Sequence, residues 1–280
     1  MSSSNSLEVY FSAAPDRAIL RRPLYFHHTP KTAGTSFRYA MRHFMREHGA
    51  GRMVVPNVRV DLKAAHRWPR GLAELHDMVA AGNRIEVLAS HYTALLADAI
   101  DEPIVSLIRD PDEHYESYVA FHADFARHEI AHRGSVEAVL RHPKFNNPQL
   151  RSFFAPLIAL PVDPPADAAK MDRLIELIDR TLKRFTLFPT SEYPAFLDYC
   201  RHQYGAHLIE VREKRRTHVP ADVSLLAELA RHRRDHDPVW LDRIFYDRVK
   251  RLPAPAPQVP DAIRATAYPS DDVREVGIGA

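Results

Sequence analysis

The segment Thr29-Pro30-Lys31-Thr32-Ala33-Gly34-Thr35-Ser36 gathers residue types suited to holding an anion. A tight turn that opens a helix aims several backbone N–H groups and the positive helix end at one point. Ala33 and Gly34 are small enough to let an anion reach the backbone, Thr35 and Ser36 add hydroxyl donors, and Lys31 adds a mobile cation. The order differs from the Walker A loop GxxxxGK[ST], because here the lysine precedes the glycine. The plainer reading of the same residues is an ordinary strand–helix turn with a hydroxyl N-cap. A second set is Arg109-Asp110-Pro111 with Ser117 two helical turns later. An arginine at a strand end and a serine on the next helix can converge on one phosphate, although alone they also suit a surface Arg–Asp pair and an exposed serine. His91, within Ser90-His91-Tyr92, is the candidate base. Imidazole, with an ordinary pKa of about 6.5, can take a hydroxyl proton at neutral pH, and the alternative is a core or capping histidine.

These residues need a scaffold that brings strand ends to one rim. Leu24-Tyr25-Phe26-His27 is a short β-prone run, and apolar residues from Ser36 to His48 recur with helical spacing, so the loop lies between a strand and a helix. Met53-Val54-Val55, Ile85–Ala89 and Ile104–Ile108 have strand length, and the last two precede His91 and Arg109. Leu72–Ala81, Pro111–Phe125, Ala168–Leu182, Tyr193–Tyr204 and Trp240–Val249 read as helices, with a strand at Phe185–Phe188. The alternation predicts an α/β protein with a single doubly wound parallel sheet and ligands at the carboxyl ends of its strands. Residues 1–20 read as a flexible arm, 21–252 as one domain, and 253–280, which opens Pro253-Ala254-Pro255-Ala256-Pro257, as a Pro-rich disordered tail.

Composition narrows the function classes. The 280 residues carry 38 Lys plus Arg against 36 Asp plus Glu, a formal net charge of +2, so no global field marks a nucleic-acid binder. No run approaches the roughly 20 apolar residues of a membrane span, and the polar start lacks a signal-peptide core, so a cytoplasmic protein is expected. The single Cys200 forms no intrachain disulfide and excludes cysteine-rich zinc sites. Seventeen histidines invite a metal reading, but no HExxH motif occurs. His232 and His236 sit in the charged run 231–237, which reads as a solvated face, and no metal is expected.

The run from Thr29 to Ser36 resembles the loop that binds 3′-phosphoadenosine 5′-phosphosulfate (PAPS) in sulfotransferases, above all the PKTAGTS form of the heparan sulfate and uronyl 2-O-sulfotransferase group and its bacterial relatives. The resemblance implies a P-loop-like fold, a loop over residues 31–36 that holds the 5′-phosphosulfate, Lys31 on the oxygen bridging phosphate and sulfate, and no metal requirement. Arg109-Asp110-Pro111 with Ser117 and Tyr118 resembles the family's 3′-phosphate motif, with His114 where a second arginine is usual, so that position is weaker or pH-dependent. Ser90-His91-Tyr92 is similar to the segment carrying the catalytic histidine of the 2-O group, with serine for glycine. Asn146 to Arg151 is similar to a helix bordering the acceptor cleft. Families of this fold close a late basic loop over the nucleotide, which makes Lys214, Arg215 and Arg216 candidates. What the resemblance implies is transfer of a sulfuryl group from PAPS to a hydroxyl of a carbohydrate or other small acceptor. A P-loop kinase and a non-catalytic carbohydrate-binding protein on the same scaffold are the alternatives.

Overall fold

The computed structural model describes residues 7–12, 17–55, 80–91, 93–94, 102–154, 160–210, 221–233 and 236–253. Six strands form one mixed sheet: β1 (Leu7–Ser12), β2 (Leu24–His27), β3 (Gly51–Val55), β4 (Arg84–Ser90), β5 (Ile104–Ile108) and β6 (Phe185–Pro189). Their order across the sheet is β3-β1-β4-β2-β5-β6. β2 runs parallel to β4 and β5, and β5 parallel to β6, whereas β1 is antiparallel to both of its neighbours. Five strands therefore share one direction, and the expected all-parallel sheet is corrected at β1. The expected loose arm over residues 1–20 is corrected at the same place, because Leu7–Ser12 pairs on both edges. The helix expected over 72–81 begins outside the described residues, as do Lys214, Arg215, Arg216 and all but Pro253 of the expected tail.

Helices cover both faces. One face packs α1 (Gly34–Glu47) and α7 (Tyr193–Tyr204) through Phe37, Met41, Met45, Phe196 and Tyr204 onto Phe26, Val87 and Leu107. The other packs α5 (Pro148–Phe154), α6 (Ala168–Arg184) and α9 (Trp240–Arg251) through Phe153, Ile178 and Phe245 onto Ile108 and Leu187. Side chains of β5 alternate between these cores, as the two-residue period of a strand requires. Each fully buried large side chain contributes about 1.5–3 kcal/mol, so these two contacts hold the strand ends in place. A third core joins α2 (Pro111–Phe121), α3 (Ala123–Arg133), α4 (Glu137–Leu140) and α8 (Ala221–His232) through Tyr115, Val119, Val139 and Leu229.

The helix expected over Pro111–Phe125 breaks at His122, where α3 starts. The charged run 231–237 is not a solvated face throughout. Arg233 and Arg243 both pair with Asp112, tying α8 and α9 to α2, and buried His236 meets the Leu140 carbonyl at 3.1 Å and Asp163 at 2.8 Å. Among the described residues, no helix is long and apolar enough to cross a membrane.

Candidate functional site

The turn between β2 and α1 is held in a conformation that L-residues rarely adopt. Lys31 and Ala33 have φ of 67° and 58°, at a cost on the order of 1–3 kcal/mol apiece. Internal bonds brace it. Buried Thr32 donates its hydroxyl to the Thr29 carbonyl at 2.8 Å. The Thr29 and Ser106 hydroxyls are 3.2 Å apart, and Ser106 donates to the His27 carbonyl at 2.7 Å. His114, reaching across from α2, donates from Nε2 to the Pro30 carbonyl at 2.8 Å. Left-handed residues alternating with ordinary ones turn successive amides inward to make an anion-binding nest. No side chain caps α1 and no acidic residue lies in its first turn, so the amides there and the positive helix end are left for an anion to meet. Ala33 and Thr35 are exposed at this mouth and Ser36 is half-buried. Gly34 has a reason beyond small size: a Cβ there would fall 2.0 Å from His28 Cδ2.

The second cation comes from the neighbouring strand. Arg109 follows β5, and Gln149 clamps its backbone on both sides, accepting from Arg109 N at 2.7 Å and donating to its carbonyl at 3.0 Å. Asp110 caps α2 by accepting from the amides of Asp112 and Glu113, with Pro111 in the first turn. The Arg109 guanidinium lies against Glu113, with Nε and Nη2 each 3.0 Å from Oε2. Ser117 is half-buried one turn after Glu113 on the same helix face. Lys31 Nζ lies over the Phe121 ring at the end of α2, 4.9 Å from its centroid. His114 lies near enough to both cations to feel their charge. Burial first, then the charges of Arg109 and Lys31, push its pKa down to about 4. The sequence suggested a weaker or pH-dependent phosphate ligand at this position; instead His114 is buried and neutral and braces the loop.

On the other side of β2 stands His91, just past β4. Its Nδ1 bonds the His28 carbonyl. A carbonyl only accepts, so Nδ1 carries the proton and Nε2 keeps a lone pair. Burial, helped by nearby Arg38, pushes the His91 pKa down to about 4, opposed by the carbonyl bond. At neutral pH His91 is thus an unprotonated base with a fixed tautomer. The His28 ring stacks on it with centroids 4.3 Å apart and planes at 21°.

Comparison of the chain with family models, curated proteins and solved structures finds no match in any of them. The site therefore has to be judged on its own geometry. Lys31, the amides of residues 32–36, Arg109 and His91 follow the carboxyl ends of the parallel strands β2, β5 and β4 and so share one rim, and Ser117 lies two turns along α2, which starts there. Asn146, Gln149 and Arg151, read as a cleft border, make bonds within the protein: Asn146 donates to the His142 carbonyl at 3.0 Å, and Arg151 donates to the Asn146 carbonyl at 3.1 Å.

Sequence reasoning missed a buried acid one strand from His91. Buried Glu8 on β1 accepts from Arg38 at 2.7 Å, Arg42 at 3.1 Å, Arg52 at 2.7 Å and Tyr10 at 2.6 Å. These donors hold its carboxyl down at about 2 despite burial. Glu8 pairs with Ala89 across β1 and β4, which sets this guanidinium cluster one strand from His91. The signal available in the sequence was a lone acid inside Leu7-Glu8-Val9-Tyr10-Phe11, because a charge in an apolar strand needs partners. Among the described residues, no three or more His, Cys, Asp or Glu side chains gather as a metal-binding group.

Proposed function

We propose that the chain is a sulfotransferase that takes a sulfuryl group from PAPS and passes it to an acceptor hydroxyl, most fittingly on a carbohydrate. One observation carries this reading. A strained loop after β2 and an arginine after β5 stand on adjacent parallel strands, and His114 from α2 bonds the loop's Pro30 carbonyl. A nucleotide bearing two separated anionic groups needs two such sites. Within the parallel part of the sheet, β4 lies on one side of β2 and β5 on the other, so the chain changes direction across the sheet between β2 and β5. Doubly wound sheets bind ligands at that switch point, which supports the P-loop-like form of the fold.

In this reading the amides of residues 32–36 and Lys31 hold the 5′-phosphosulfate, while Arg109 and Ser117 hold the 3′-phosphate. His91 Nε2 takes the acceptor proton as the acceptor oxygen bonds to sulfur and the bond from sulfur to the phosphate oxygen breaks. Lys31 swings from Phe121 to meet the charge on the leaving oxygen, and the loop amides meet charge on the equatorial oxygens. His91 stands on the β4 side and Arg109 on the β5 side of the loop, so donor and acceptor approach from opposite flanks. The guanidiniums around Glu8 border the acceptor flank and favour acceptors with acidic groups.

A P-loop kinase is the second reading. The lysine before the glycine and a site for a 3′-phosphate weigh against it. The direct test is thermal unfolding with 3′-phosphoadenosine 5′-phosphate (PAP), AMP and Mg·ATP, each with and without EDTA where metal is not a reactant. PAP is expected to raise the melting temperature most, independently of EDTA. Stabilisation by Mg·ATP with none by PAP would replace this reading with the kinase.

A further inference from the structure

His28 does not hold an anion in the proposal above, yet it touches everything that must be aligned. Its carbonyl bonds His91 Nδ1, and its amide donates to the Ser90 carbonyl at 2.9 Å. Its ring stacks on the His91 ring on one side. On the other, its Cδ2–Nε2 edge meets Gly34, the first residue of α1, so closely that any side chain there would collide with it. The ring is buried, and Nδ1 has no hydrogen-bond partner. A buried imidazole nitrogen left unsatisfied is costly, which indicates that the flat ring itself is what this position uses.

We propose that His28 is a positioning residue, a spacer of fixed thickness between the anion-binding loop and the base His91. Resting on the sulfuryl-transfer reading, this assigns to one side chain the separation between the donor end and the proton acceptor. Rotation of the His91 ring is blocked by the stack and by the carbonyl bond, so Nε2 points one way. When His91 becomes protonated, the same carbonyl bond strengthens and the neutral His28 ring faces the imidazolium. Burial, joined by the charge of His91 once that ring is protonated and by the charge of Arg38, holds the His28 pKa well below its ordinary value, so the ring stays neutral. The charged and titratable groups that act on the pair are His27 from β2 and Arg38 from α1, and Arg38 is itself paired with Glu8 from β1.

The test compares His28→Ala with His28→Phe, which loses the nitrogens and keeps a flat stacking ring larger by one atom. Two readouts are needed: turnover with PAPS, and the His91 titration followed by NMR without nucleotide. His28→Ala is expected to lower kcat roughly 10- to 100-fold with PAP affinity within about threefold, since misplacement by about 1 Å costs that much. Its His91 pKa should rise from about 4 towards the ordinary value as water reaches the ring. His28→Phe should recover most of kcat and keep the low His91 pKa. If His28→Ala does not fold, His28→Leu, which fills the volume without a stacking face, takes its place. An unmoved His91 titration in the ring-less variant overturns the proposal, and so does equal loss of kcat in His28→Phe with the low His91 pKa and the parent's PAP affinity both kept, which would give the nitrogens a chemical role. Failure of the parent to bind PAP would sink the sulfotransferase reading instead, and the nucleotide-free titration would still judge the spacer.

Discussion

Arg109 is held by Glu113 in the free protein, so binding a 3′-phosphate has to break that pair. The cost is small: the two side chains are 33% and 63% exposed, and exposed pairs four apart on a helix contribute about 0.3–0.5 kcal/mol. A charge-assisted hydrogen bond to phosphate contributes about 1.5–3 kcal/mol. The difference, about 1–2.7 kcal/mol, makes phosphate the preferred partner and predicts that Arg109→Ala weakens PAP binding roughly 5- to 100-fold. AMP lacks the 3′-phosphate and should change by less than about twofold on the same arithmetic. Glu113→Gln removes the competitor and a like charge, and should tighten PAP binding by about twofold or more with no gain for AMP. Calorimetry of both nucleotides on the parent, Arg109→Ala, Ser117→Ala, the double variant and Glu113→Gln measures all of this. Non-additive losses in the double variant would put both residues on one phosphate. Equal losses for PAP and AMP, or weaker PAP binding in Glu113→Gln, would refute the assignment of Arg109.

His91→Ala should lower turnover by roughly 10²–10⁴ with PAP affinity nearly intact. In the parent, kcat/KM should fall on the acid side through a pKa of about 4, because the free protein holds His91 well below its ordinary value. Global stability should drop as pH falls from about 6.5 to 4.5, because His27, His28, His91, His114 and His122 stay neutral when folded but protonate when unfolded. Asp242, raised to about 7 by burial, takes up a proton in the folded state and opposes one of the five. The net of four protons corresponds to up to about 5 kcal/mol per pH unit in denaturant titrations, and a flat profile would mean that these histidines ionise inside the fold. Glu8→Gln should cost about 3 kcal/mol in the same assay, since it leaves the mostly buried Arg38 without its carboxylate while Arg42 and Arg52 can turn to water, and a loss below about 1 kcal/mol would show that the cluster is solvated.

The parallel strands and their flanking helices were legible because each carries its own local pattern. Ile104–Ile108 is continuously apolar, and α1 repeats its apolar residues at helical spacing. β1 was not legible, because its partners come from residues 51–55 and 84–89, and alternation along one strand carries no direction. Burial of Glu8 likewise depends on arginines at 38, 42 and 52. The β2–α1 turn was legible from its residue types and order, but the reason for Gly34 was not, since it lies in the packing of His28. His114 was misjudged for a similar reason: only the fold brings α2 against Pro30. The basic run at 214–216 lies outside the described residues.

The decisive measurement is transfer from sulfur-labelled PAPS to a panel of neutral and acidic glycans and small hydroxyl metabolites, read by mass spectrometry. The parent, Lys31→Ala and His91→Ala are run side by side in EDTA. Labelled product from the parent, with sharp loss in both variants and weakened PAP binding only in Lys31→Ala, is the predicted result. Tight PAP binding with no labelled product anywhere in the panel would contradict it in favour of a non-catalytic binding protein. Label transfer undiminished in Lys31→Ala and His91→Ala would mean that the chemistry lies elsewhere on the molecule.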